Sequence, residues 1–369
     1  MPRRVVIGRM VGAVTLAVSI VACTNDAGRD TTTAAPPAPT TTVANTTATT
    51  ASSTTTTIAA TTTPPATIAP SRLTIEAFEV PAGSRPHDVA PAVDGGVWYT
   101  AQHLGELGWL DPATGETLHI PLGTGSRPHG VIVDDHGTPW ITDGGLNAIV
   151  SVDPATHDVT VYPLPEGREE ANLNTATFDE VGVLWFTGQA GVYGSLDPAT
   201  GSMQVFDAPS GRGPYGITAT PSGVVYYASL AGSYVGEIGA DGSALVLQPP
   251  TEGQGARRVW SDSTGNVWVS EWNSGSLSRY DPDTGVWDTW PLPGSDPAAY
   301  AVYVDERDIV WVSDFGADAI VRFDPTTEEF TVIELPHDQG EVRQLLGRPG
   351  ELWGAESAAD HLVLIRTSG

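Results

Sequence analysis

Apolar side chains in this chain come in short alternating runs rather than at helical spacing, and one aromatic residue marks the same point in seven of them. These markers are Trp98, Trp140, Trp185, Tyr226, Trp268, Trp311 and Trp353, separated by steps of 42, 45, 41, 42, 43 and 42 residues. A fixed period of this length identifies a repeat architecture. Ankyrin and tetratricopeptide units are shorter, kelch blades are longer, and helical repeats would show a rhythm of about 3.6 residues. Strand alternation at this period predicts one four-stranded propeller blade per repeat.

The second repeat shows the pattern most fully. Its predicted strands are Gly130–Val133, Pro139–Thr142, Ala148–Val152 and Val159–Leu164, with turns at Asp134-Asp135-His136-Gly137 and Asp153-Pro154-Ala155-Thr156. The Asp-Pro turn recurs at Asp111, Asp197, Asp281 and Asp324, where Pro presets the first turn dihedral and Asp caps it. Only the fourth repeat departs, with Ala240-Asp241-Gly242. Outer-strand segments occur at 73–81, 117–121, 158–165, 202–209, 244–250, 286–293 and 329–336. The first of these precedes the first blade, and the repeat around Trp353 has no outer strand after it. The segment Leu73–Phe78 is therefore expected to pair onto the C-terminal blade and close an all-β ring of seven blades over residues 71–369.

Residues 1–70 do not continue the pattern. Arg3, Arg4 and Arg9 precede a short apolar stretch from Met10 to Ala22, too short to span a bilayer comfortably. The tetrad Ile20-Val21-Ala22-Cys23 resembles a bacterial lipobox, which implies a signal peptide over residues 1–22 and lipidation at Cys23. An ordinary cleaved signal with an incidental Cys23 is the alternative. Cys23 is the sole cysteine, so the mature fold is expected to hold no disulfide. Residues 23–70 are rich in Thr, Ala and Pro and cannot bury enough surface to offset their ordering entropy, so they read as a tether. Together these features predict an extracytoplasmic monomer held to the outer face of a bacterial cell membrane by its lipid alone.

Charge narrows the partners. Five of the 17 basic and two of the 44 acidic residues lie in residues 1–72, leaving 12 and 42 in the remainder, a formal charge of −30. Nucleic-acid binding needs a basic footprint and is excluded on this ground. A small molecule or peptide at the propeller mouth remains, with cationic or neutral ligands and divalent metals the better matches.

Counting from each aromatic marker gives a candidate site. Positions eleven residues before and three after it are symmetric about the hairpin turn and are expected to face each other at one channel mouth, about 5 Å apart. The pairs are His87 with Ala101, His129 with Asp143, Asn174 with Gly188, Tyr215 with Ser229, Arg257 with Glu271, Tyr300 with Asp314, and Val342 with Glu356. All but Val342 are small, polar or charged. Arg257 with Glu271 reads as a structural ion pair and Tyr300 with Asp314 as a hydrogen bond. The Arg-Pro-His triplets at Arg85 and Arg127 repeat 42 residues apart, setting His87 and His129 side by side. Adjacent imidazoles suit proton transfer or metal ligation, although polar mouths also occur in propellers that only bind.

Arg-Pro-His before an apolar strand, followed by a Trp strand with an acidic residue three positions on, resembles the virginiamycin B (streptogramin B) lyase family across roughly residues 73–369. The resemblance implies seven blades, Mg²⁺, and elimination across the ester of a cyclic depsipeptide. It implies catalytic roles for His87, His129 and Asp143, with Arg127 standing where the family carries a Glu and with Arg257 and Tyr300 at its usual late-blade positions. Two classes follow: a metal-assisted lyase, or a propeller that binds a ligand or protein without catalysis. Convergence of Asp143, Glu271, Asp314 and Glu356 around one point would favour a cation and separate the two.

Overall fold

The computed structural model describes residue 73 and residues 75–367, and within them every regular element is a β-strand. The signal peptide, Cys23 and the tether lie outside the described residues. The strands form seven antiparallel sheets of four. In the second blade they are Pro128–Val133, Pro139–Asp143, Ala148–Val152 and Val159–Pro163, within a residue or two of the bounds expected from alternation. The innermost strands neighbour one another around the axis, first blade against seventh included.

Closure is as expected. Ile75–Glu79 pairs with His361–Arg366 in the register Ile75↔Ile365 to Glu79↔His361, supplying the outer strand of the last blade. A second tie lies at the rim, where Asp360 accepts hydrogen bonds from the backbone N–H groups of Gly83 and Arg85, both at 2.7 Å. Closing the ring removes the two free edges that an open stack of blades would expose.

The marker aromatics owe their position to a buried hydrogen bond as well as to packing. Trp140, Trp185, Trp268 and Trp311 each donate Nε1–H to the carboxylate six residues earlier, at 2.9, 2.9, 2.9 and 3.0 Å respectively. In the second blade the same carboxylate, Asp134, caps the hairpin turn by accepting from His136 and Thr138 N–H. One acid thus closes the turn and satisfies an indole that would otherwise be buried unpaired. In the Asp-Pro turns the left-handed exit falls on Gly115, Gly201 and Gly285, but on His157 and Glu328 in the second and sixth blades.

One sequence expectation fails in register. In blades one to six a one-residue bulge interrupts the innermost hairpin, so the residues opposite Ala101, Asp143, Gly188, Ser229, Glu271 and Asp314 are Pro86, Pro128, Leu173, Pro214, Ala256 and Ala299. His87, His129, Asn174, Tyr215, Arg257 and Tyr300 each lie one residue further on. The seventh blade has the bulge too, but its turn is one residue shorter, pairing Leu346 with Trp353 where the first pairs Ala90 with Trp98. Val342↔Glu356 is therefore observed, and the seventh equivalent of His87 is Arg343 rather than Val342. The polar ring has no gap.

Candidate active site at the channel neck

A bulge puts two consecutive residues out of ladder pairing and re-aims both. The residue after a ring position needs a partner for its N–H, and in five blades a hydroxyl two residues past the marker aromatic supplies it. Asp88, Gly130, Thr175, Arg258 and Ala301 donate to Thr100, Thr142, Thr187, Ser270 and Ser313. Four of these hydroxyls in turn donate to the carbonyl of the next blade's ring residue: Thr100 to His129, Thr142 to Asn174, Thr187 to Tyr215 and Ser270 to Tyr300. The bulge is thereby stapled to its neighbour, and the ring side chains are held at the channel neck.

His87 and His129 meet there, their ring centroids 3.8 Å apart. His87 Nδ1 lies 2.8 Å from Asp88 Oδ1, so it carries the proton and donates it to the carboxylate. Its Nε2 lone pair has no protein donor among the described residues. Arg258 grips the same carboxylate with two N–H groups, at 3.0 and 3.3 Å. The protonation of His129 follows from a chain that starts at Arg258, which can only donate. Arg258 donates to Thr175 Oγ1 at 2.9 Å, so the Thr175 hydroxyl donates onward to Asn174 Oδ1 at 2.7 Å. This turns the Asn174 amide N–H toward His129 Nε2, 3.1 Å away. His129 Nε2 is thus an acceptor, and its proton sits on Nδ1, which is buried without a partner among the described residues.

Across the neck, Tyr215 and Tyr300 hydroxyls are 2.6 Å apart, and Arg257 donates to the Tyr215 hydroxyl at 3.0 Å. The Arg257 guanidinium lies 3.6 Å from the centre of the Tyr300 ring and 4.7 Å from that of Trp272. Tyr300 also stacks on Phe315, with centroids 4.5 Å apart. Beyond Asp88, Thr175, Arg258 and Gln344 the channel widens into a cavity of about 210 Å³ walled by apolar groups such as Phe178 and Trp260.

Three guanidiniums set the electrostatics. Burial drives the His87 pKa well below the usual imidazole value, and Arg343, Arg258 and Arg257 push it further down. Burial does the same to His129, with His87 next. Both imidazoles are held neutral. Burial raises the Asp88 pKa while Arg258 draws it back. Burial would raise the Tyr300 phenol, but Arg257, Arg343 and Arg258 together bring it down to about 8. Its partner Tyr215 is pushed up to about 12, chiefly by burial. The strongly negative charge of the propeller as a whole therefore does not extend into the neck.

The carboxylates expected beside the ring lie elsewhere. Asp143 accepts from Ser126 Oγ and from the N–H groups of Arg127, Gly145 and Leu146. Asp314 caps Ala298 and Gly316, Glu271 accepts from Ser274 and Ser278, and Glu356 accepts from His337. They brace loops. The expected Arg257–Glu271 ion pair and Tyr300–Asp314 hydrogen bond are replaced by the contacts just described. Arg85 and Arg127 stand exposed at the rim. Asp88, Arg258, Arg343, Thr175 and Trp272 were missed by counting, because the offset assumed a hairpin without a bulge and with a constant turn.

The Mg²⁺ implied by the resemblance does not fit these residues. Among the described residues His87, Asp88 and His129 are close enough to share a cation. Mg²⁺ prefers an octahedron of oxygens. Here two of the three donors are imidazoles, one nitrogen of each is engaged, and both oxygens of the single carboxylate belong to Arg258. Asp143, Glu271, Asp314 and Glu356 do not join that cluster.

Comparison with known proteins agrees with the geometry at the level of fold. A streptogramin B lyase structure superposes with a TM-score of 0.73 at 20% identity, covering 80% of this chain and 97% of that one. A virginiamycin B lyase from Staphylococcus aureus gives 0.74 at 16% identity, covering 80% and 99%. YCF48 bound to a peptide gives 0.62 at 14% identity, covering 79% and 96%. No curated protein matches by sequence. The profile of the virginiamycin B lyase family matches residues 51–297 and again 122–369, together most of the chain, and the chain belongs to that family.

Proposed function

We propose that the neck catalyses elimination across an ester carbon–oxygen bond without a metal ion, with His87 as the base. The observation that carries this reading is the His87–Asp88 couple: an imidazole kept neutral by burial, oriented through Nδ1 by a carboxylate at 2.8 Å, with Nε2 left to accept a proton. Nε2 takes the proton alpha to a carbonyl, the C–H electron pair becomes a C=C bond, and the β carbon–oxygen bond breaks with its pair leaving on a carboxylate. Arg257 and Arg343 supply the positive charge for the enolate oxygen and the departing carboxylate, in place of a cation. His129 Nδ1–H, which lacks a partner among the described residues, is the donor for the carbonyl oxygen. Cyclic depsipeptides or related esters are the substrate class.

The test is turnover of an ester-linked depsipeptide panel with and without EDTA. Activity is expected to persist in EDTA and to fall about 10²–10⁴-fold in His87→Ala, the usual worth of one acid–base group. Full turnover by His87→Ala, or loss of turnover in EDTA, overturns the reading. A second reading, a propeller that binds without catalysis, draws on the hydrogen bonds that link Tyr215, Tyr300 and Arg257 to one another and on the likeness to peptide-bound YCF48. Binding of the panel with no elimination would favour it.

In the same reading the protein is a lipoprotein displayed outside the cell membrane. Cys23→Ser is expected to release it into the soluble fraction with the propeller still folded, because stable anchoring needs acyl chains. Unchanged membrane partitioning would refute the anchor.

A further inference from the structure

A second close pair of histidines lies where the last inter-blade loop meets the seventh blade. His337 follows the outer strand Glu329–Glu334 of blade six, and His361 opens the third strand of blade seven. Their ring centroids are 4.1 Å apart. Each has its Nδ1 committed to an acceptor: His337 donates to Glu356 Oε2 and His361 to the Ala359 carbonyl, both at 2.7 Å. That fixes both tautomers and leaves both Nε2 lone pairs without a donor among the described residues. A carboxylate or a backbone carbonyl behind Nδ1 is how proteins orient and strengthen an imidazole that binds a metal through its other nitrogen.

Acidic groups complete the surroundings. Glu356 is fully buried, and its Oε1 has no hydrogen-bond partner among the described residues. In the sheet His361 pairs directly with Glu356 on one side and with Glu79 on the other, so all three share a face. Glu79 is exposed and belongs to the strand that closes the ring. Unlike the neck, this cluster has no arginine among its hydrogen-bond partners.

We propose that His337 and His361 bind a divalent transition metal of the zinc class through their Nε2 atoms, with water filling the remaining positions. Imidazole nitrogens suit Zn²⁺, whose bonds to nitrogen are about 2.0–2.1 Å. The ion would join the last inter-blade loop to the closing blade, and this assignment is independent of any chemistry at the neck.

The experiment is calorimetric titration of the full chain with ZnCl₂, paired with thermal melts in Zn²⁺ and in EDTA. One ion per chain is expected, with a melting temperature raised by Zn²⁺. Binding should weaken at least tenfold in both His337→Ala and His361→Ala. It should be unchanged in His129→Ala, which disrupts the neck cluster, and in His136→Ala, an exposed control. No binding by the unmodified chain overturns the proposal. So does binding that survives both rim substitutions or disappears with His129→Ala.

Discussion

Two histidine pairs with nearly equal ring separations, 3.8 Å for His87–His129 and 4.1 Å for His337–His361, sit in opposite electrostatic settings. At the neck, Arg257, Arg258 and Arg343 act on the imidazoles, with Asp88 tied to Arg258 and Glu341 to Arg343. At the rim, a buried glutamate backs one imidazole and a second glutamate flanks the other. The first setting repels cations and suits proton transfer; the second attracts them. Proximity of two histidines therefore does not specify their chemistry, because the charges behind them decide it.

The largest effect that would break this contrast is loss of its central ion pair. Arg258→Met leaves Asp88 buried without its guanidinium, and truncating one partner of such a pair typically costs about 3–5 kcal/mol. A correspondingly lower midpoint in urea unfolding is expected, and a midpoint equal to that of the unmodified chain would show that Arg258 does not hold the neck together.

A smaller effect concerns acid. The neck imidazoles have depressed values, so below the ordinary imidazole pKa the unfolded chain takes up protons that the folded neck refuses. Stability is expected to fall as pH drops below about 6.5, the usual imidazole value. Replacing both His87 and His129 with Asn should flatten this dependence relative to the unmodified chain. Denaturant midpoints across pH check it, and identical slopes would contradict neutral burial of the pair.

The smallest effect is spectroscopic. With Tyr300 at about 8, one phenol should ionise early in a near-ultraviolet absorbance titration, and Tyr300→Phe should remove that step. Because the folded value lies below the ordinary phenol value, ionisation stabilises the fold most above about pH 10. This gain disappears as pH falls through 8. If the early step survives in Tyr300→Phe, the three guanidiniums are not acting on that phenol.

Much of the molecule was legible without coordinates. The seven-fold spacing of Trp98 to Trp353, the Asp-Pro turns of five blades and the leftover strand after Leu73 are local signals governed by backbone periodicity and turn chemistry, so seven blades and their closure followed from them. Meeting of His87 with His129 followed too, because equal offsets on adjacent blades survive any distortion that all blades share. The pairing across each hairpin did not follow. A bulge changes which residue faces which while leaving hydrophobic alternation almost untouched, and the shorter turn before Trp353 moved the last ring position from Val342 to Arg343. The hydroxyls Thr100, Thr142, Thr187, Ser270 and Ser313 that stabilise the bulges recur in the sequence at a constant offset, so that signal was present but unread. Asp88 meeting Arg258, 170 residues away, was decided by ring closure alone. Sequence spacing determines which residues share a strand and a face; only the closed ring determines which charges from opposite blades converge on the axis, because that contact depends on all seven blades at once.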